Sequence, residues 1–279
     1  MRHIVVAIAT AALAVCLAPT AQAAETTFER TLTVSGQADL SVQTGSGSIR
    51  LTRGAGNSIH IFGRVRSSWG ANQNRVQQIA DHPPIEQTGN IVRIGVHHQN
   101  MNNISIDYEI EAPANAYLNA STGSGQVNDD GVGVNAKLST GSGSIRATGL
   151  QGGFTLGTGS GSIYAEQSGQ GDVKAETGSG SIELRNVSGG LRAETGSGSI
   201  KVAGTPSAAW RLETGSGGVE VWTGNSAFTL DAETGSGGIQ LDREIVQEGK
   251  IARHHVQGRV GGGGPTVRIE TGSGGIRIH

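Results

Sequence analysis

The tetrapeptide Thr-Gly-Ser-Gly occurs nine times in the 279 residues, and its spacing constrains the fold more than any other feature. Consecutive copies begin 78, 18, 18, 19, 18, 19, 20 and 37 residues apart, so most intervals are one period of 18 to 20 residues. In every copy the second residue after the tetrapeptide is Ile or Val. Such a period is typical of folds made from stacked units. The copies begin at Thr44, Thr122, Thr140, Thr158, Thr177, Thr195, Thr214, Thr234 and Thr271.

Each unit has the pattern of two short strands joined by a corner. Residues 191–194 alternate apolar and charged side chains before the corner at Thr195, and residues 199–202 alternate again after it. Alternation with period two indicates a half-buried strand. The Gly-Ser-Gly segment is expected to form the corner because Gly reaches positive-φ conformations. A unit of this size cannot bury a core alone, so the units are expected to stack.

Two arrangements of these units remain open at this point. In a β-solenoid each unit is one coil, and like residues stack at the strand spacing of about 4.8 Å. In an antiparallel meander unlike residues would lie opposite each other. The near-constant period favours the solenoid, with up to about fourteen coils in a rod about 65 Å long. We therefore predict an all-β, single-domain β-solenoid of 18–20-residue coils, whose thin core suits an aromatic content of only 4%.

The excess of Gly agrees with an ordered repeat. The chain holds 46 Gly and only six Pro, and Gly does not recur at every third residue, which excludes collagen. About half of the glycines belong to the Thr-Gly-Ser-Gly corners and their flanks. The glycines therefore predict corners of a repeating rod instead of a flexible linker.

Two segments interrupt the repeat and divide the chain. Within residues 64–90, the apolar residues of the stretch before Pro83 share one helical face, which predicts a short helical excursion near 72–81. Residues 242–265 end in a run of four Gly, which predicts a loop insertion. The predicted organisation is degenerate N-terminal coils over 24–121 and regular coils over 122–279.

The N-terminus has the pattern of a secretory signal peptide over residues 1–23. A basic start precedes an apolar stretch, and Ala21-Gln22-Ala23 predicts cleavage after Ala23. A retained membrane anchor and lipidation at Cys16 are the alternatives, although Val15 departs from the small residue usual before a lipidated Cys. The mature chain would have no Cys and no transmembrane span. We expect a periplasmic, cell-surface or secreted protein.

Charge and motifs argue against several partners and cofactors. Lys and Arg total 21 against 23 Asp and Glu, so no basic surface for nucleic acid is expected. No phosphate-binding Gly-rich motif and no Gly-x-Ser-x-Gly motif occurs. No cofactor and no catalytic residue is therefore predicted.

Three pairs of neighbouring residues could suggest chemistry, but their spacing argues against it. Asp129-Asp130 has the residue types of a carboxylate pair in polysaccharide hydrolases, and His97-His98 and His254-His255 have those of a metal site. Adjacent side chains of a strand point to opposite faces. Trp69, Trp210 and Trp222 could stack on sugars, but packing is the favoured interpretation.

Charged side chains form a regular pattern before several corners. A Glu precedes Thr in five copies, and a basic residue lies two positions before four of these Glu. Stacking predicts an acidic and a basic column that compensate each other. The alternative is a site for a divalent cation or a polycation along the acidic column, for which Asp231 with Glu233 is the best single candidate. The column residues are Glu176, Glu194, Glu213, Glu233 and Glu270, with Lys174, Arg192, Arg211 and Arg268.

The repeats and two further segments resemble a known bacterial family. The Thr-Gly-Ser-Gly-x-Ile units, residues 104–113 leading into 118–123, and residues 261–272 are similar to the DUF4097 family of adhesin-like proteins. The resemblance covers about residues 28–279. It implies a β-solenoid domain of the envelope or cell surface, and it supplies no catalytic residues to transfer.

These observations predict an exported, non-enzymatic β-solenoid that acts as an adhesin or as a structural or binding element of the cell envelope. The partner remains open between an envelope component, a polysaccharide and a protein. A β-helical carbohydrate-active enzyme is one alternative, but most coils are too short to build a cleft. A repeat surface that binds ions, ice or mineral is another. In the alternating pattern the corner Thr falls on the same side of the strand as the inward residues, so it is expected to cap the core.

Overall fold

The computed structural model describes residues 24–67, 73–95, 103–247, 252 and 254–279. The predicted signal peptide with Cys16, residue Trp69 and the pair His97-His98 lie outside the described residues. In the described part of the chain, no helix has the length and hydropathy needed to cross a bilayer.

The described residues form 23 strands and one helix. The elements are β1 (Glu25–Thr33), β2 (Asp39–Thr44), β3 (Ile49–Arg53), β4 (Ser58–Ser67), α1 (Gln73–Asp81), β5 (Ile85–Thr88), β6 (Ile91–Ile94), β7 (Ile104–Ala112), β8 (Tyr117–Thr122), β9 (Val127–Asp130), β10 (Asn135–Thr140), β11 (Ile145–Leu150), β12 (Phe154–Thr158), β13 (Ile163–Gln167), β14 (Val173–Thr177), β15 (Ile182–Thr195), β16 (Ile200–Thr214), β17 (Val219–Trp222), β18 (Phe228–Thr234), β19 (Ile239–Leu241), β20 (Ile245–Gln247), β21 (His255–Val260), β22 (Thr266–Thr271) and β23 (Ile276–Ile278).

The strands stack into two parallel layers, one for each half of the repeat. The first layer contains β6 and the nine strands that end at the corner Thr, in the order β6, β2, β8, β10, β12, β14, β15, β16, β22 and β18. The second layer contains β7 and the nine strands that follow the corner, in the order β7, β3, β9, β11, β13, β15, β16, β17, β23 and β19. β15 and β16 run through both layers. Like residues pair with like along the stack, which confirms the β-solenoid.

The described strands form ten coils, fewer than the fourteen that the chain length allows. At about 4.8 Å each, ten coils give a rod about 45 Å long. The difference arises because several strands close the ends of the rod in antiparallel pairs. β1 and β4 pair beside β7 at one end, and β21 pairs with β18 and β20 at the other.

The stacking order of the coils differs from their order in the chain at both ends. The last coil, β22–β23, lies between the coils β16–β17 and β18–β19. Near the N-terminus, the coil β2–β3 lies between β6–β7 and β8–β9. The sequence pattern gives no indication of either rearrangement, because nine of the ten coils share the Thr-Gly-Ser-Gly corner.

The predicted helical excursion is confirmed as α1 at the N-terminal end of the rod. Its buried residues Val76, Ile79 and Ala80 lie on one face, and the helix packs against β1 and β4. The flanking parts of the segment 64–90 are the end of β4 and the strand β5. Residues 242–265, predicted as a loop, contain the strands β20 and β21.

The Thr hydroxyl of the corner connects successive coils. In eight corners its Oγ1 donates a hydrogen bond of 2.7–2.8 Å to the carbonyl of the second corner Gly in the preceding coil of the stack. The same oxygen accepts a bond of 3.0–3.2 Å from the amide three residues later. These eight Thr are buried. The prediction that the corner Thr caps the core is therefore confirmed.

The reason for the corner glycines differs from the sequence-based expectation. None of the corner glycines has a positive φ, so that explanation is wrong for this turn. A Cβ at the second Gly would instead overlap the carbonyl of the equivalent Gly in the preceding coil, as at Gly143 against Gly125. Close stacking therefore requires Gly here. Positive φ is used in turns away from these corners, as at Gly131 with a φ of 74°.

Replacing a corner Thr with Val should destabilise the rod. In Thr195→Val, the amide of Gly198 and the carbonyl of Gly180 would lose their partner in a buried corner. We expect the free energy of unfolding to fall by about 2 kcal/mol, because each unsatisfied buried polar group costs about 1–3 kcal/mol. Urea denaturation would measure it. Thr195→Ser keeps the hydroxyl and should lose less than half as much. Equal losses in both variants would contradict the role of the hydroxyl.

Candidate binding surface

An acidic row runs along the exposed side of the first layer. The Glu before each corner Thr pairs in register with its equivalent in the next coil. The predicted acidic column is therefore present, but its order follows the rearranged stack. From one end to the other the row is Glu176, Glu194, Glu213, Glu270 and Glu233.

A basic row runs parallel to the acidic row and neutralises most of it. Lys174 Nζ lies 2.9 Å from Glu176 Oε1, and the equivalent pairs in the next three coils are also in contact. The hydrogen bond to Glu270 raises the pKa of the Arg268 guanidinium above its ordinary value. These partners lie two residues apart on one strand, so each coil carries its own pair. The pairs are Lys174–Glu176, Arg192–Glu194, Arg211–Glu213 and Arg268–Glu270.

An open groove of about 990 Å³ extends beside the acidic row. It is lined by the five Glu of the row together with Thr and Gly of the adjoining corners. The corner residues that line the groove are small, and the groove is open to solvent. An extended ligand would meet small residues along the whole groove and a Glu at five of its six coils, at intervals of about 4.8 Å.

The two cation candidates lie at the end of this row, beside β21. Asp231 Oδ1 is 2.9 Å from His255 Nε2, and Asp231 Oδ2 is 4.0 Å from Arg268. Glu233 is exposed and lies opposite His255 in the strand register. Among the described residues, no three His, Cys, Asp or Glu side chains converge in a way that could hold a metal ion. Asp231 is therefore paired with the side chains of His255 and Arg268.

Calcium should leave the stability unchanged. Because Asp231 already contacts His255 and Arg268, we expect the melting temperature to stay constant when Ca²⁺ is raised to millimolar concentration. Thermal melting with and without the ion would measure this, and Asp231→Asn would serve as the comparison. A rise in melting temperature that disappears in Asp231→Asn would support a cation site at Asp231 and Glu233.

The exposed side of the second layer is a mixed polar and aromatic surface. The ring of Tyr164 lies 4.4 Å from the guanidinium carbon of Arg146 and 5.5 Å from that of Arg185. Trp222 is partly exposed and stacks on His279, with ring centroids 5.1 Å apart. Both aromatic rings are therefore engaged by neighbouring side chains.

The remaining residues considered from the sequence do not meet in one place. Asp129 is buried and Asp130 is exposed, so the two carboxylates face opposite sides of β9. His254 contacts the carbonyl of Gly237 at 3.0 Å, whereas His255 contacts Asp231. Trp210 is buried and donates its indole N–H to the carbonyl of Gly189 at 2.9 Å. Trp210 therefore packs in the core, which was the favoured interpretation of this residue.

Sequence reasoning missed the most unusual titratable group of the described chain. Asp129 occupies an inward position between Leu51 and Ala147 of the adjacent strands. Its Oδ1 accepts a 3.0 Å hydrogen bond from the Val132 amide, and its Oδ2 has no partner. Burial raises the pKa of Asp129 to about 8, although the Val132 amide opposes this shift. The alternation of the strand indicated this position, because Asp129 lies two residues after the inward Val127 and therefore on the same face of the strand.

The comparisons with known proteins concern the family and the fold. The family model described as Toastrack DUF4097 matches residues 31–279. No protein with a curated description matches the chain.

Several solved structures are similar to this chain at low sequence identity. A candidate cell-adhesion protein of Clostridium sporogenes ATCC 15579 is 14% identical, with a TM-score of 0.27, over 91% of this chain and 99% of that one. A candidate adhesin of Bacteroides fragilis NCTC 9343 is 12% identical, with a TM-score of 0.36, over 91% and 97%. A candidate adhesin of Parabacteroides distasonis ATCC 8503 is 12% identical, with a TM-score of 0.35, over the same shares. None of these similarities assigns a functional residue.

Proposed function

The chain belongs to the Toastrack DUF4097 family, and we propose that it is an exported, non-enzymatic β-solenoid of the cell envelope or surface that binds an extended partner. The observation that carries the proposal is the open groove of about 990 Å³, which extends along six neighbouring coils. Its shape suits a chain-like ligand, because it is open to solvent and presents a Glu at five of its six coils. A polysaccharide or an extended peptide of the envelope has this form.

The chemistry of the groove favours a ligand that hydrogen-bonds and carries little net charge. Four of the five Glu in the row are paired with Lys or Arg of the same strand. Carboxylates and guanidinium groups together offer both acceptors and donors. Neutral sugar hydroxyls can use both kinds of group at each coil. We therefore propose a neutral envelope polysaccharide as the first ligand class to test.

The positions of the titratable groups support a non-enzymatic role. A general acid or base needs access to substrate and a pKa suited to proton transfer. Of the described residues, those whose pKa burial raises strongly are Asp129 and Tyr108, and both side chains lie beneath the strands. Four of the five groove carboxylates are instead held in ion pairs with Lys or Arg. A reducing-sugar assay that detects turnover of any envelope polysaccharide would favour the alternative of a β-helical carbohydrate-active enzyme.

A sedimentation experiment tests the binding role. The purified protein is mixed with the insoluble polysaccharide of a bacterial envelope, and the bound fraction is measured after centrifugation. Glu194→Gln with Glu213→Gln alters the groove while preserving side-chain shape, and we expect at least a tenfold weaker retention. Arg146→Gln with Tyr164→Phe alters the opposite surface and should bind normally. Absence of retention, or equal retention by both variants, would contradict the proposed groove.

The location of the protein is tested separately by cell fractionation. The signal-peptide prediction for residues 1–23 leads us to expect the shortened chain in the envelope or medium fractions, with an N-terminus at Ala24. N-terminal sequencing would identify the cleavage site. Recovery of the uncleaved chain from the cytoplasm would contradict export.

A further inference from the structure

The last coil of the chain, β22–β23, fills a slot between two coils that precede it in sequence. β22 pairs in parallel with β16 on one side and with β18 on the other. β23 pairs in the same way with β17 and β19. Residues 266–278 therefore form four strand pairings, all with segments that are synthesised earlier. Insertion of this coil requires that the slot be open when the C-terminus folds.

The contacts within the slot are the general contacts of the repeat. Thr271 donates to the carbonyl of Gly217 at 2.8 Å, and Thr234 donates to the carbonyl of Gly274 at 2.8 Å. These are the same bonds that other corners form with their neighbours. The inward residues of β22 are Val267 and Ile269, which are the kind of residue found throughout the core. Any copy of this coil, from the same chain or another, presents the same surface to the slot.

The segment that precedes the last coil is suited to act as a hinge. β21 is held by antiparallel pairing with β18, and the chain then runs through Gly261–Gly264 into β22. Gly261, Gly262 and Gly263 have φ values of 62°, 98° and 88°. Glycine can leave such a conformation without steric cost. Residues 261–265, when extended, span roughly 17 Å, about the width of three to four coils.

We propose that the coil β22–β23 is exchanged between copies of this chain, so that the partner is a second copy whose last coil fills the slot. Each chain then donates residues 266–279 and receives the same residues from its partner. The strand pairings are the same in the closed monomer and in the exchanged dimer. The conformation of the hinge and the protein concentration therefore determine which of the two forms is populated. The dimer places two copies of the acidic groove on one particle, because each exchanged coil carries Glu270 of that row.

Cross-linking of the full chain tests this exchange. Arg211 and Arg268 lie opposite each other on β16 and β22, and their side chains are about half exposed. In a Cys16→Ser background, chains carrying only Arg211→Cys are co-refolded with chains carrying only Arg268→Cys, and a short bismaleimide is added. We expect at least tenfold more covalent heterodimer than in a mixture of Lys137→Cys and Arg268→Cys chains. Lys137 belongs to the same layer but lies on β10, four coils from β16.

Two further variants make the test decisive. A single chain with both Arg211→Cys and Arg268→Cys should form an intrachain cross-link, which shows that both positions react. Deleting Gly262 and Gly263 shortens the hinge and should raise the dimer fraction in size-exclusion chromatography several-fold, because short hinges favour exchange. The proposal is overturned if heterodimer stays at the level of the Lys137→Cys mixture. It is equally overturned if the deletion variant remains monomeric at high concentration while the intrachain link forms.

Discussion

Gly180→Ala is expected to lower the free energy of unfolding by about 3 kcal/mol, because a Cβ at this corner has no space. It would overlap the backbone carbonyl of Gly161 and approach the amide of Ser162 in the neighbouring coil. Both are backbone atoms, so a side-chain rotation cannot relieve the overlap. The two coils must separate or the corner must change its path. Urea denaturation followed by circular dichroism would measure the loss.

Gly157→Ala is the matched control for this prediction. Gly157 lies in β12 at the position equivalent to Glu176, and an added Cβ there would meet no atom within 4 Å. Its φ is not in the left-handed region, so Ala is compatible with the backbone. We expect unchanged or slightly higher stability, since Ala reduces the conformational entropy of the unfolded chain. A similar loss of stability in both variants would show that close stacking is not the reason for the corner Gly.

Asp129→Asn is expected to stabilise the protein at pH 8 by on the order of 5 kcal/mol and to leave it nearly unchanged at pH 4. The carboxyl of Asp129 lies among apolar residues, and burial raises its pKa to about 8. The amide oxygen of Asn retains the acceptor for the Val132 N–H. The substitution therefore removes the titration while preserving this contact.

The sign of the pH effect follows from the raised pKa. An unfolded Asp has a pKa near 3.9, so between about pH 4 and pH 8 the folded state holds a proton that the unfolded state has released. The contribution of Asp129 is fully present below pH 4 and is lost as the pH rises towards 8, by about 1.4 kcal/mol per unit. The difference in the free energy of unfolding between Asp129→Asn and wild type is measured at each pH, because the contributions of the other titrating groups cancel in that difference. A flat profile for Asp129→Asn would contradict the raised pKa of Asp129.

The sequence was sufficient to predict the surface rows but not the groove. Glu194 and Arg192 alternate with inward Leu191 and Ala193, and period-two geometry alone places them outside and side by side. The depth and continuity of the groove depend on how tightly corners such as that of Thr195 stack. That distance is set by the contact between Gly carbonyls and Thr hydroxyls of different coils. Alternation within one strand contains no information about it.

Asp129 shows why a local pattern can fail for a single residue. The segment 128–131 has a composition typical of a turn. The strand register places Asp129 between Leu51 and Ala147, because Val127 before it is held in the core column. The neighbours in the stack decide the direction of the side chain, and one polar residue does not change a register held by many apolar ones.

Local repetition determined the coil, its corner, the inward and outward faces and the charged rows of this protein. These features follow from an 18–20-residue period and from strand alternation, which act over a few residues. Only the tertiary structure decided the order of the coils, with residues 266–278 between β16–β17 and β18–β19. The physical reason is that nine of the ten coils offer the same Thr-Gly-Ser-Gly corner and similar apolar edges to their neighbours. A repeat therefore specifies that coils stack, while the chain connections and the capped ends decide which coils meet.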